Sequence, residues 1–378
     1  MISDVRIYVV IGLFIIACIS LMIFNFVIIR FSRAKHTPSA RKTDRWMTIL
    51  YTETIIAGHT KSGSKKHDKF LLRKLPKTKH LIVYSHALQV LKERFPKAFN
   101  DYVKGRYTTF RELAFTYGKR PRIERTCYAD FISRFPELAG DSYGQLADVL
   151  ISYIDDSSIH CRTKVVSALC SIGSAQGVVN TLQIINDKSL FMHTHLLTSE
   201  LSKFGGDKYA FADRLWSEGQ GWNDSLMVSV VQFITGFSNQ YIGTFFPALQ
   251  DKSIGTTVRA AIIRYYEKHP YEPVRLTLIK YLYDQNNTDL AAESALTLNK
   301  YPAPDTVVAL KNALSNPNWH VRYNASYSLL RTGTRDDLLQ ILRSDSAYNK
   351  EIVAYMLELE YALLAGSQDE ASDEDVDI

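Results

Sequence analysis

Apolar residues recur at three- and four-residue steps along most of the chain, the spacing that lines one face of an α-helix. Trp46, Ile49 and Leu50 begin one such stripe that runs to Ile56, with Asp44 placed as its N-cap. Leu88, Leu91 and Phe95 form another, and Val165, Ala168, Leu169 and Ile172 a third. Strand-like alternation is nearly absent, so the expected fold class is all-α. Gly58–Lys69 (GHTKSGSKKHDK) predicts a flexible loop, and Pro96, Gly105, Gly118 and Pro136 punctuate an irregular helical stretch from Phe70 to Gly140.

One segment breaks the amphipathic rule. Ile7–Phe31 is a long apolar run with Asn25 and Arg30 as its strongly polar members, and about 20 apolar helical residues suffice to cross a bilayer. It predicts an N-terminal transmembrane helix over residues 1–31. A cleaved signal peptide would have a shorter apolar core. A lipoprotein box at Ile15–Cys18 would turn polar after the cysteine, whereas here the next dozen positions stay apolar. Between Arg30 and Arg125 stand 24 Lys and Arg against 7 Asp and Glu. Basic flanks resist translocation, so the expectation is a single-pass protein of a bacterial inner membrane, N-terminus outside and C-terminal domain in the cytoplasm. Arg33, Lys35, Arg41, Lys42, Lys65, Lys66 and Lys69 become candidate contacts to anionic lipid headgroups.

A second pattern is longer. Asp156–Gly173 (DSSIHCRTKVVSALCSIG) returns as Asn316–Gly333 (NPNWHVRYNASYSLLRTG), with His, Arg, Leu and Gly at matched places. Arg162, Arg259 and Arg322 share one position in a unit of about 32 residues. Asp187–Gly205, Trp222–Gly236 and Asp284–Lys300 supply weaker copies. Ala325, Ser328, Leu329 and Thr332 repeat the stripe of Val165–Ile172, and Gly173 and Gly333 close it as expected left-handed caps. The predicted organisation is a basic juxtamembrane helix and linker (32–69), a capping region (70–140), repeats (141–345), a capping helix (346–366) and a disordered acidic tail (367–378), whose last eleven residues carry six acids.

The motifs Val258-Arg259-Ala260-Ala261, Val321-Arg322 with Ala325 and Leu329, and Cys161-Arg162 with Ala168 and Leu169 resemble HEAT repeats. The resemblance covers a little over half the chain. It implies an α-α superhelix, or solenoid, in which each repeat Arg pairs with an Asp of a neighbouring turn; Asp155, Asp156 and Asp251 offer that carboxylate, and Asn316 departs from the pattern. The whole layout resembles bacterial single-span proteins with a cytoplasmic HEAT domain, some of which accompany membrane glycosyltransferases that make envelope polysaccharide.

Chemical motifs are few. No phosphate-binding glycine loop, nucleophile elbow or His-Glu-x-x-His occurs. His193 and His195 stand about 200° apart on a helix, too divergent to share a metal. His160 and His320 precede matched helices and suggest turn roles, and the pairs Asp155-Asp156 and Asp336-Asp337 fall at helix starts, where acids are favoured. Cys18, Cys127, Cys161 and Cys170 form no Cys-x-x-Cys pair and read as small hydrophobes. No catalysis, metal or cofactor is expected. Tyr265-Tyr266, Tyr281–Tyr283 and Tyr241–Phe246 fit a core or a groove. The expected function is a membrane-anchored scaffold that binds protein partners, with small-molecule substrates not expected. The basic stretch Lys61–Lys79 reads first as a solvated, membrane-facing patch; the alternative function is a HEAT-like nucleic-acid-binding or base-repair protein, since phosphate-binding grooves also want clustered Lys and Arg.

Overall fold

The computed structural model describes residues 15–16, 19–22, 40–59, 65–140, 143–154, 158–284, 286–344 and 346–373. Among the described residues the fold is all-α, without a strand, in an arrangement compatible with an α-solenoid. The N-terminal transmembrane helix is corrected: among the described residues no helix is long and apolar enough to cross a membrane. Of Ile7–Phe31 only residues 15–16 and 19–22 are described; the rest of that segment, with Arg33 and Lys35, lies outside the described residues. The described helices fail the requirement because charge interrupts their apolar runs. The helix Ala40–His59 carries Arg41, Lys42, Asp44 and Arg45 in its first turns. The single-pass topology and the orientation drawn from the basic flank fall with the span.

The chain divides into two compact units, Met1–Gly177 and Val178–Ile378, a boundary later than the expected start of the repeats near residue 141. Unit 1 comprises α1 (Ala40–His59), α2 (Lys65–Lys74), α3 (Thr78–Arg94), α4 (Pro96–Lys104), α5 (Tyr107–Gly118), α6 (Arg122–Arg134), α7 (Tyr143–Ile151) and α8 (Ile159–Ser171). The helices α1, α3, α6 and α8 pack in succession as one row, and α2, α5 and α7 as a second. Asp44 sits inside α1 rather than capping it, and α2 occupies half of the stretch expected to be a loop. Leu71 on α2 is fully buried and His67 nearly so; burial against the rest of the unit outweighs the weak local propensity of a lysine-rich segment.

The boundary falls inside α9 (Ala175–Asp187). Unit 2 continues with α10 (Thr194–Ser202), α11 (Lys208–Glu218), α12 (Asp224–Phe237), α13 (Ile242–Gln250), α14 (Thr256–Lys268), α15 (Arg275–Leu282), α16 (Thr288–Thr297), α17 (Pro304–Ala313), α18 (Trp319–Thr332), α19 (Arg335–Leu342) and α20 (Ala347–Asp373). The even-numbered helices from α10 to α20 pack each on the next as one row, and each odd-numbered helix from α11 to α19 packs on the even-numbered one that follows it. The starts of α10, α12, α14, α16 and α18 recur at about 32 residues. Asn223, Asn318 and Thr334 cap their helices through side-chain oxygens, Thr334 in a capping box with Asp337. The last helix runs to Asp373, past the expected start of the tail at residue 367, and residues 374–378 lie outside the described ones.

Tyrosine hydroxyls staple unit 2 across one period. Tyr281 donates to the Leu249 carbonyl at 2.5 Å, Tyr301 to that of Tyr266 at 3.0 Å, and Ser328 to that of Ala295 at 2.6 Å. Leu249 and Tyr266 lie in the last turns of α13 and α14, where carbonyls have no partner within the helix. A phenol fills the space with its ring and satisfies that acceptor with its oxygen. Tyr265, Tyr266, Tyr281 and Tyr241 are therefore core, while Tyr283 is exposed.

Candidate interaction surface

A groove of about 360 Å³ runs over four helices of the even-numbered row of unit 2. Val228 on α12, Ala260 on α14 and Ala292 on α16 line it as the fifth residue of their helices, and Asn324 on α18 as the sixth. The alanines leave the surface recessed. Polar residues form its edges: Arg264 pairs with Glu293 at 2.9 Å, Thr257 donates to Asp224 at 2.6 Å, and Asn324 donates to the Ala292 carbonyl at 2.8 Å. The ion pair is half exposed and contributes at most about 1 kcal/mol, so it shapes the rim rather than holding the fold.

Arg162, Arg259 and Arg322 are each the fourth residue of a helix, α8, α14 and α18, and each is 7–8% exposed. Arg322 departs from the Arg–Asp pairing that the resemblance implied. Arg322 donates from Nη1 to the carbonyls of Asn316 and Pro317 at 2.7 and 2.9 Å, and from Nη2 to the Tyr348 hydroxyl at 3.3 Å. Backbone oxygens thus replace the carboxylate that Asn316 lacks. Arg259 acts on two turns. Asp251 and Asp284 are held below the usual carboxylate range chiefly by hydrogen bonds from Ser253 and Asn287, with a smaller pull from Arg259. Asp155 and Asp156 lie outside the described residues.

The two glycines part company. Gly173 adopts φ +74°, and the N–H of Ser174 bonds to the Leu169 carbonyl, as a left-handed cap requires. Gly333 has φ −81° and ψ 157°, which is extended backbone, so its expected left-handed cap is corrected. Glycine is needed there for another reason: a Cβ would stand 2.8 Å from the Leu329 carbonyl oxygen.

The far end of unit 2 holds a second groove, of about 490 Å³, between α18 and α20. Trp319 is 49% exposed, Tyr348 59% and Tyr355 48%, and Glu351 and Glu358 stand among them. The Arg322 guanidinium lies 5.6 Å from the Trp319 ring and 4.7 Å from that of Tyr348. Aromatic rings at this degree of exposure are costly to hydrate and are enriched at binding surfaces.

Unit 1 contains the richest polar constellation, and burial closes it. Arg106 has no exposed surface. It meets Glu53 through Nη2 and Asp68 through Nε, each at 3.4 Å, donates from Nη1 to the Tyr102 carbonyl at 2.6 Å, and stacks 4.0 Å from the Tyr102 ring. The Nε approach to Asp68 is an ion pair without hydrogen-bond alignment. His67 Nε2 lies 2.9 Å from the Tyr102 hydroxyl, which lies 2.9 Å from that of Tyr84. Burial first, then the Arg106 charge, push His67 down to about 4. Burial also raises Glu53 and Asp68, against the pull of Arg106. Acid, base and phenol are all present, yet Arg106 offers a substrate no surface to touch. The constellation ties α1, α2 and α4 together.

Lys42, Lys65, Lys66 and Lys69 are exposed, and Arg41 lies in α1. His80 is lowered first by burial and then by Lys74, Lys77 and Lys42, so these lysines converge on one patch. The His193 and His195 rings are 5.7 Å apart, and among the described residues no three His, Cys, Asp or Glu side chains group as metal ligands. The helix caps beside His160 and His320 are supplied by Ser158 and Asn318. Cys161 and Cys170 are buried free thiols, and Cys127 is half-buried.

Both grooves escaped sequence reasoning, although a trace existed. Tyr348 and Tyr355, like Glu351 and Glu358, stand seven residues apart, two turns along one helix face. Arg106 gave only the spacing Tyr102, Arg106, Phe110. No protein-family model matches the chain, and neither does any curated protein.

Proposed function

We propose that this chain is a HEAT-like helical-repeat scaffold that binds a protein partner along the even-numbered helices of unit 2 and catalyses no reaction. The observation that supports it is the groove at Val228, Ala260, Ala292 and Asn324, built from four helices of one row at a spacing of 32 residues. A ligand spanning it touches several helices at once, the way stacked-repeat proteins present an extended surface. The recurring Arg259 and Arg322 positions and the α-rich pairs support the family likeness. A photo-crosslinking residue at Thr257 or at Asn324, with one at Asp336 as control, tests the proposal in cells that express the chain. The expected result is one protein captured from both groove positions, not from Asp336, and lost when Ala292→Trp fills the recess. Capture that ignores position, or none, would sink it.

A second reading rests on unit 1, where Lys42, Lys74 and Lys77 all act on His80 and Lys65, Lys66 and Lys69 are exposed on α2. Clustered lysines suit a nucleic-acid backbone. Binding of duplex or single-stranded DNA that weakens steeply with salt would favour it, and no binding at low salt would remove it.

A further inference from the structure

The groove between α18 and α20 carries an unneutralised charge. Two acids of α19 and α20 are paired, Asp337 with Lys311 at 2.8 Å and Glu360 with Arg331 at 3.5 Å. Glu351 and Glu358 have no ion-pair partner among the described residues. They line the groove together with the exposed rings of Tyr348, Tyr355 and Trp319. Arg322 also lines it, held by the Asn316 and Pro317 carbonyls and 5.6 and 4.7 Å from the Trp319 and Tyr348 rings, and its single charge is set against two carboxylates. Exposed π-faces beside free carboxylates attract one class of ligand, a cation, because ring quadrupole and carboxylate pull the same way.

We propose that this groove receives an extended peptide segment of a partner protein bearing two basic side chains three residues apart. The spacing follows from the helix. Glu351 and Glu358 are two turns apart on α20, about 10 Å at 1.5 Å per residue. Three residues of a polyproline-II segment span about 9 Å and bring side chains i and i+3 to the same face. A groove of about 490 Å³ accommodates two such side chains. The proposal rests on the protein-binding scaffold and adds the chemistry of what is bound.

The test pans a random dodecapeptide library against the immobilised full chain. Enrichment of Lys or Arg at positions i and i+3 is expected. An acetylated, amidated dodecapeptide with Arg at positions 5 and 8 is then titrated by calorimetry beside its Gln-Gln counterpart. The Arg peptide should bind at least about tenfold more tightly, the advantage should vanish in Glu351→Gln/Glu358→Gln, and Tyr355→Ala should weaken it further. All three sites are exposed, so these variants should keep the helical circular dichroism of the parent. Equal binding of the two peptides, no binding, or enrichment of acidic or purely apolar sequences would overturn the proposal. So would self-association of the chain that the double variant abolishes, since a second copy would then be the occupant. Photo-crosslinking at Thr257 and Asn324 that persists in the double variant would leave the scaffold standing and discard this ligand alone.

Discussion

Replacing Arg106 by Met removes one charge from a site with no exposure and leaves Glu53 and Asp68 facing each other, 15% and 24% exposed. Breaking a fully buried ion pair costs about 3–5 kcal/mol, because the abandoned charge stays buried. Partial exposure of both carboxylates screens that cost, so about 3 kcal/mol is the working figure. Met matches the length of the arginine stem and keeps most of the packing on the Tyr102 ring, so cavity formation adds little. For a unit of this size about 3 kcal/mol lowers Tm by roughly 6–12 °C, readable by circular dichroism. The effect depends on pH in a definite sense. Arg106 is what pulls both carboxylates down against burial. Without it they take up protons more readily in the native state, so the cost shrinks as pH falls from 7 towards 4. The triple variant Arg106→Met/Glu53→Gln/Asp68→Asn should recover most of the loss at pH 7. A cost below about 1 kcal/mol, or one indifferent to pH, would refute the account of a desolvated, charge-balanced tie.

Other outcomes follow from single side chains. His67 titrates near 4 in the native state and near 6.5 when free. The unfolded chain therefore binds its proton first, and stability falls as pH drops from 6.5 towards 4, by about 3 kcal/mol at most. The raised Glu53 and Asp68 offset part of this near the lower limit, and His67→Gln should flatten the upper part of a urea-midpoint-versus-pH curve. Tyr281→Phe leaves the Leu249 carbonyl without its partner and should cost about 1 kcal/mol in urea unfolding; an unchanged midpoint would show that water replaces the phenol. Gly173→Ala forces a side chain into φ +74° and should cost about 1–2 kcal/mol, measurable as a lower Tm, whereas Ser171→Ala nearby should be nearly silent.

The helical class and the repeat register were legible because both are local. A stripe such as Val165, Ala168 and Leu169 reports that one helix face is buried, and all three are fully buried. The same logic located Arg162, Arg259 and Arg322 at one helical position without saying what they touch. Arg322 found backbone oxygens and a tyrosine 26 residues away. Unit 1 was harder. Its capping region showed no clean period, yet its helices also stack in two rows, and Arg106 draws on Glu53, 53 residues earlier. Lysine-rich α2 looked like a loop because composition records solubility and cannot see Leu71 docking. The groove at Trp319 and Tyr355 needed two helices brought side by side, which neither helix announces alone. The apolar run at the N-terminus misled most, since hydrophobicity by itself does not state what will cover it.

The phenol-to-carbonyl staples of unit 2 reach one neighbour and no further. Tyr281 answers to α13 and Tyr301 to α14, and nothing in that ladder asks about a helix two rungs away. Such a ladder can lengthen or shorten by a whole rung during evolution without re-threading the chain. The groove between α18 and α20 belongs to one such junction, so that recognition there and the number of rungs elsewhere could change independently.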